Sequence, residues 1–116
     1  GPWECDDALE PNDNMGDATR VADGFWEGLM ACRQDDDWFF IDGPHGANMF
    51  ITLRFRHAQG DIDMLLHGGG RPRVSGNSVS DNEVIGYRVD RNEPLHLQVW
   101  LEGGGENDYT LDIKFE

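Results

Sequence analysis

Basic side chains are scarce in this chain. Of its 116 residues nine are Lys or Arg against 23 Asp or Glu, giving a formal net charge of -14. That balance excludes a nucleic-acid partner, because phosphate backbones are held chiefly by Lys and Arg. It speaks equally against an anionic membrane surface. No apolar run approaches the roughly 20 residues that a spanning helix needs, so no membrane insertion is expected. Cysteine is limited to Cys5 and Cys32, which rules out a C-x-x-C redox pair and a four-ligand zinc centre. The four histidines, His45, His57, His67 and His96, include no H-E-x-x-H pair; the first three fall in or beside predicted turns, and the histidines are read as solvent-exposed and not as metal ligands. Ser75, Ser78 and Ser80 have no G-x-S-x-G elbow around them, and Gly68-Gly69-Gly70 lacks the G-K-[ST] of a phosphate loop. Paired carboxylates abound, but no pattern sets two of them across a cleft as a glycosidase requires.

What the chain has is acidic oxygen in two sequence-local clusters. The first is Asp6-Asp7-Ala8-Leu9-Glu10-Pro11-Asn12-Asp13-Asn14; the second is Asp35-Asp36-Asp37, which runs into Trp38-Phe39-Phe40. Calcium takes six to eight oxygen ligands in flexible geometry. Glu10, Asn12 and Asp13 offer several, Asp35 and Asp37 complete the shell, and Asp7 or the main-chain carbonyl of Glu27 is a further donor. The spacing is not an EF-hand. An Asx-turn with a capped short helix uses the same residues, and both readings stay open at this level. In Gly60-Asp61-Ile62-Asp63 the two carboxylates fall opposite Ile62, Met64 and Leu66. They either accept hydrogen bonds from turn amides or form a second metal site.

Cys5 and Cys32 are read as a disulfide. Closing a loop of about 26 residues contributes on the order of 3 to 4 kcal/mol and ties the first acidic segment to the strand before the second. Disulfide and calcium together imply an exported protein. Gly1-Pro2 reads as an expression scar, leaving residues 3–116 as a single domain, cut from a longer protein.

Seven segments carry strand signals, separated by Gly, Pro, Asn and Asp clusters. They lie near Phe25 to Ala31, Trp38 to Asp42, Met49 to Arg56, Ile62 to His67, Glu83 to Val89, Leu95 to Leu101 and Tyr109 to Phe115, the pattern of a β-sandwich. Ile51 to Arg56 and Tyr109 to Phe115 alternate at every step, one face in the core and one in water. Trp38-Phe39-Phe40-Ile41 does not alternate and reads as a central strand buried on both faces, with Trp38 in the core. Asn14 to Val21 is expected to hold a helical turn, with Asn14 as its cap, and Arg71 to Asn82 to be a mobile loop. Trp100 shares the polar phase of its strand with His96 and Gln98. With Trp26 it is a candidate surface for an extended polymer, unless a loop or the N-terminal segment covers it.

Taken in order, Leu9-Glu10-Pro11-Asn12-Asp13, Ala18-Thr19, Asp35-Asp36-Asp37-Trp38-Phe39, Gly60-Asp61-Ile62-Asp63-Met64, Asp81-Asn82-Glu83 and Tyr109-Thr110-Leu111 resemble the bacterial pre-peptidase C-terminal domain. That family is related to the collagen-binding domains of clostridial collagenases, and the resemblance runs from Asp6 to Phe115. It implies an all-β, jelly-roll-like antiparallel sandwich of about seven to eight strands. Such domains are attached to secreted proteases and other exported proteins and are not themselves catalytic. Carried over, the calcium ligands are Glu10, Asn12, Asp13 and Asp35. Ala8 stands where the collagenase pattern has a further Glu, with Asp7 beside it. The exposed tyrosines of collagen binders have no counterpart beyond Tyr87 and Tyr109, so collagen binding does not follow.

The expectation is therefore a monomeric, calcium-assisted accessory domain of a secreted or surface bacterial protein. Its partners are a neighbouring domain and an extracellular polymer. A spacer with no ligand beyond calcium is the alternative, and a small hydrolase comes last.

Overall fold

The computed structural model describes residues 15–32, 36–76, 82–90 and 93–116. After a 3-10 turn at Met15–Asp17, nine strands follow: β1 Thr19–Val21, β2 Gly24–Cys32, β3 Asp37–Ile41, β4 Asn48–Arg54, β5 Asp61–Gly68, β6 Arg71–Gly76, β7 Asn82–Arg88, β8 Leu95–Gly103 and β9 Glu106–Phe115. They form a five-stranded sheet, β1-β3-β8-β5-β6, and a four-stranded sheet, β2-β9-β4-β7. Pairing is antiparallel except between β1 and β3. Apart from the β5–β6 hairpin, each strand crosses to the other sheet from its predecessor. The chain is the all-β sandwich its turn-separated alternation implies.

Alternation places the core. Met49, Ile51 and Leu53 of β4, Ile62, Met64 and Leu66 of β5, Leu95, Leu97 and Val99 of β8, and Tyr109, Leu111 and Ile113 of β9 are all buried and belong to one cluster between the sheets. Each such side chain contributes roughly 1.5–3 kcal/mol on leaving water. The intervening residues, such as Thr52, Gln98 and Asp112, are half-exposed on the outer faces.

Three expectations change. β3 is not buried on both faces: Asp37, Phe39 and Ile41 point to the core, while Trp38 and Phe40 are half-buried on the outer face. In a two-layer sandwich a strand flanked by neighbours still has one outer face, and here aromatic side chains occupy it beside two histidine rings. The expected loop from Arg71 contains a strand, β6, paired with β5 from Gly68↔Arg71 to Met64↔Gly76. Its side chains are mostly exposed, so an edge position, not a hydrophobic pattern, holds it. Finally, the segment expected to turn helically holds only the 3-10 turn, after which β1 pairs in parallel with β3. Asn14, its expected cap, lies outside the described residues.

Candidate functional site

Of the expected calcium clasp, Asp7, Glu10, Asn12, Asp13 and Asp35 lie outside the described residues, as does Cys5. The described part is its receiving end. Asp37 opens β3 on the inward phase, 1% exposed, and its Oδ2 accepts a 2.6 Å hydrogen bond from Tyr109 Oη. Tyr109 in turn lies opposite Leu29 on β2, so this carboxylate joins the start of β3 to the other sheet. Asp36, next to it, accepts a 2.7 Å bond from Gln98 Nε2, and Gln98 Oε1 lies 3.0 Å from His67 Nε2. Glu27 is exposed on β2, within the register irregularity between Trp26 and Leu29, at the rim of an open cavity of about 360 Å³ shared with Arg54 and Arg56. Cys32 is buried at the end of β2 and is not a free thiol.

The outer face of the five-stranded sheet carries the polar phase of β8. His96, Gln98 and Trp100 are half-buried there, as their alternation with Leu95, Leu97 and Val99 predicts. Phe40 packs edge-on against His96, with ring centroids 5.1 Å apart, and Trp38 lies 5.0 Å from His67. Arg20 lies over Phe40, at 5.4 Å. Two of the four histidines are thus packed among aromatics and not exposed: His67, expected in or beside a turn, is buried on β5, and His96, on the strand expected to hold it, is half-buried on β8. Burial, then the neighbouring His67, pushes the His96 pKa below its ordinary 6.5. Trp100 donates Nε1–H to Glu102 at 2.7 Å. Trp26 belongs to the other sheet and packs partly buried against the core, so the candidate surface does not extend to it.

A third constellation lies where β5 approaches β7. Asp61, Asp63 and Glu83 each bring one ligand oxygen within 4.8 Å of the others. Asp63 and Glu83 are buried, 6% and 2% exposed, and Asp61 is half-buried. At an effective dielectric of about 20, two full negative charges at such a distance repel by about 3 kcal/mol. Burial, followed by the charges of Asp61, Glu102 and Glu83, raises the Asp63 pKa to about 6, opposed by His57. His57 Nε2 lies 3.7 Å from Asp61 Oδ1. The Oδ1 atoms of Asp61 and Asp63 have no hydrogen-bond partner among the described residues, so turn amides do not account for them. Glu83 escaped the sequence reading of this cluster. Its signal was there: a charge on the same strand phase as the buried Ile85.

No protein-family model matches the sequence, and no curated protein matches it. Among solved structures, the pre-peptidase C-terminal domain of a collagenase from Bacillus anthracis is similar with a TM-score of 0.68 and 16% identity, over 84% of this chain and 94% of that one. The insecticidal delta-endotoxin Cry8Ea1 from Bacillus thuringiensis is similar at a TM-score of 0.41 and 11% identity, over 76% of this chain and 19% of that one, a likeness too low to argue from. The chain has the fold of a pre-peptidase C-terminal domain.

Proposed function

We propose that this chain is a non-catalytic, calcium-binding accessory module of an exported protein, in which calcium stiffens the join to a neighbouring domain. The observation that carries the reading is the fold shared with a collagenase's pre-peptidase C-terminal domain across 94% of that domain. The acidic segments before β1 and β3 support the metal. So does the position of Asp37 at the start of β3, fixed by Tyr109. Glu10, Asn12, Asp13 and Asp35 are the proposed ligands, with Asp7, Asp37 and the Glu27 carbonyl as further donors. A Cys5–Cys32 disulfide would hold the ligand-bearing segment against the end of β2. In this arrangement a hard cation neutralises carboxylates that otherwise repel, and binding to the folded state alone adds about 2.7 kcal/mol when calcium exceeds its Kd a hundredfold.

Calorimetric titration with calcium tests this. The wild type should bind, and Asp13→Ala should bind one ion fewer. A flat wild-type titration contradicts the metal. Polymer binding is a second task for the same module, favoured by Trp100 on an outer sheet face with its indole N–H held by Glu102. Trp100→Ala should then abolish retention on the polymer while shifting the melting temperature by no more than a degree or two. Empty glycan and matrix-protein screens would leave the spacer reading.

A further inference from the structure

The carboxylates between β5 and β7 share no residue with the proposed N-terminal clasp, and we infer that Asp61, Asp63 and Glu83 form a second site for a hard divalent cation, calcium or one of similar chemistry. Two independent observations meet here. The first is geometric: three carboxylates bring ligand oxygens within 4.8 Å of one another. Two come from a strand of the five-stranded sheet and one from a strand of the four-stranded sheet. The second is an orphaned group, since Asp63 is 6% exposed and its Oδ1 has no hydrogen-bond partner among the described residues. A buried carboxylate oxygen without a donor is costly.

A shared proton is the competing resolution, and burial together with Asp61, Glu102 and Glu83 does raise the affinity of Asp63 for one. One proton, however, bridges at most two of the three carboxylates. A divalent cation meets all three, and the harder oxygen-seeking ions accept three carboxylates with the rest of the shell from water or carbonyls. The site also has a structural consequence. β6 is an exposed edge strand beside this seam, and the contact between the sheets on this side runs through β5, β6 and β7. A cation held by β5 and β7 would therefore fasten the two sheets along one edge.

Terbium is the probe, because Asp63 lies opposite Trp100 in the β5–β8 pairing, so that indole excitation reports on a bound ion. In an Asp13→Ala background, which disables the clasp, sensitised emission should persist, be displaced by millimolar calcium, and be lost on adding Asp63→Asn or Glu83→Gln. Emission that survives both additions, or that is absent from Asp13→Ala itself, overturns the proposal. Identical titrations of the wild type and Asp13→Ala would sink the clasp, while the Asp63 comparison still decides this site. Thermal melts give a second reading. In EDTA, Asp63→Asn should melt above the wild type, since it removes a buried repulsive charge, and in calcium the order should reverse. The same order in both buffers also overturns the site.

Discussion

At the residue scale the informative positions are polar groups on buried phases. Tyr109→Phe removes one hydroxyl, a donor to Asp37 Oδ2, and leaves a carboxylate that is 1% exposed with one hydrogen bond fewer. It should cost about 1–3 kcal/mol, read as a lower urea midpoint at unchanged slope; an unaltered midpoint would show the bond to be dispensable. His96 gives a pH signature. Its pKa is lowered by burial and then by His67, so the unfolded chain binds its proton more readily than the folded one. Stability is therefore complete above about pH 6.5 and is lost as the pH falls through that value towards the lower folded pKa. His96→Gln should flatten this part of the stability profile between pH 7 and 5, and identical slopes would contradict the burial argument. Asp63, with its pKa raised to about 6, works in the opposite sense in the metal-free protein, which is why the comparison is made between variants and not against a flat baseline. Sequence alone showed that His96 and Asp63 sit on polar phases, but not that neighbouring strands bury them, because that depends on which strands pair.

At the level of elements, the β8–β9 connection crosses between sheets through Gly103-Gly104-Gly105. Gly104 has φ +96°, and a Cβ there would meet Gly60 Cα at 2.9 Å, whereas a Cβ at Gly105 would meet nothing within 4 Å. Gly104→Ala should destabilise by about 1–3 kcal/mol and Gly105→Ala by less than about 1 kcal/mol, compared by denaturant titration. Equal effects would show that glycine content, not this contact, matters at the turn. The buried Asn107 reinforces the same corner, donating through Nδ2 to the carbonyls of Arg56 and Gly60 at 2.9 Å each. Such elements were unequally legible. β4, β5, β8 and β9 announce themselves because apolar and polar residues alternate along them. β6 was missed because its polar residues and Pro72 mark an edge strand only once β5 is in place. β3 was misjudged because Trp38 and Phe40 sit on an outer face, where rings packed against His67 and His96 replace a second layer.

For the whole molecule, the sandwich was legible because seven segments with strand signals and turn signals between them admit few other architectures. The site was legible only in part: acidic clusters are visible in one dimension, but the meeting of Asp61 and Asp63 with Glu83 requires two sheets to face each other. The chain shares the fold of a collagenase's pre-peptidase C-terminal domain, and the accessory role is the one proposed for it. Its proposed metal is then a device for setting the join to a neighbouring domain. The most direct measurement is a thermal melt of the non-reduced protein in millimolar calcium and again in EDTA, repeated for Asp13→Ala. The account predicts a rise of several degrees with calcium for the wild type, much reduced in the variant. Coincident wild-type curves would contradict it, leaving the acidic segments as caps and solvated turns on a sandwich that needs no ion.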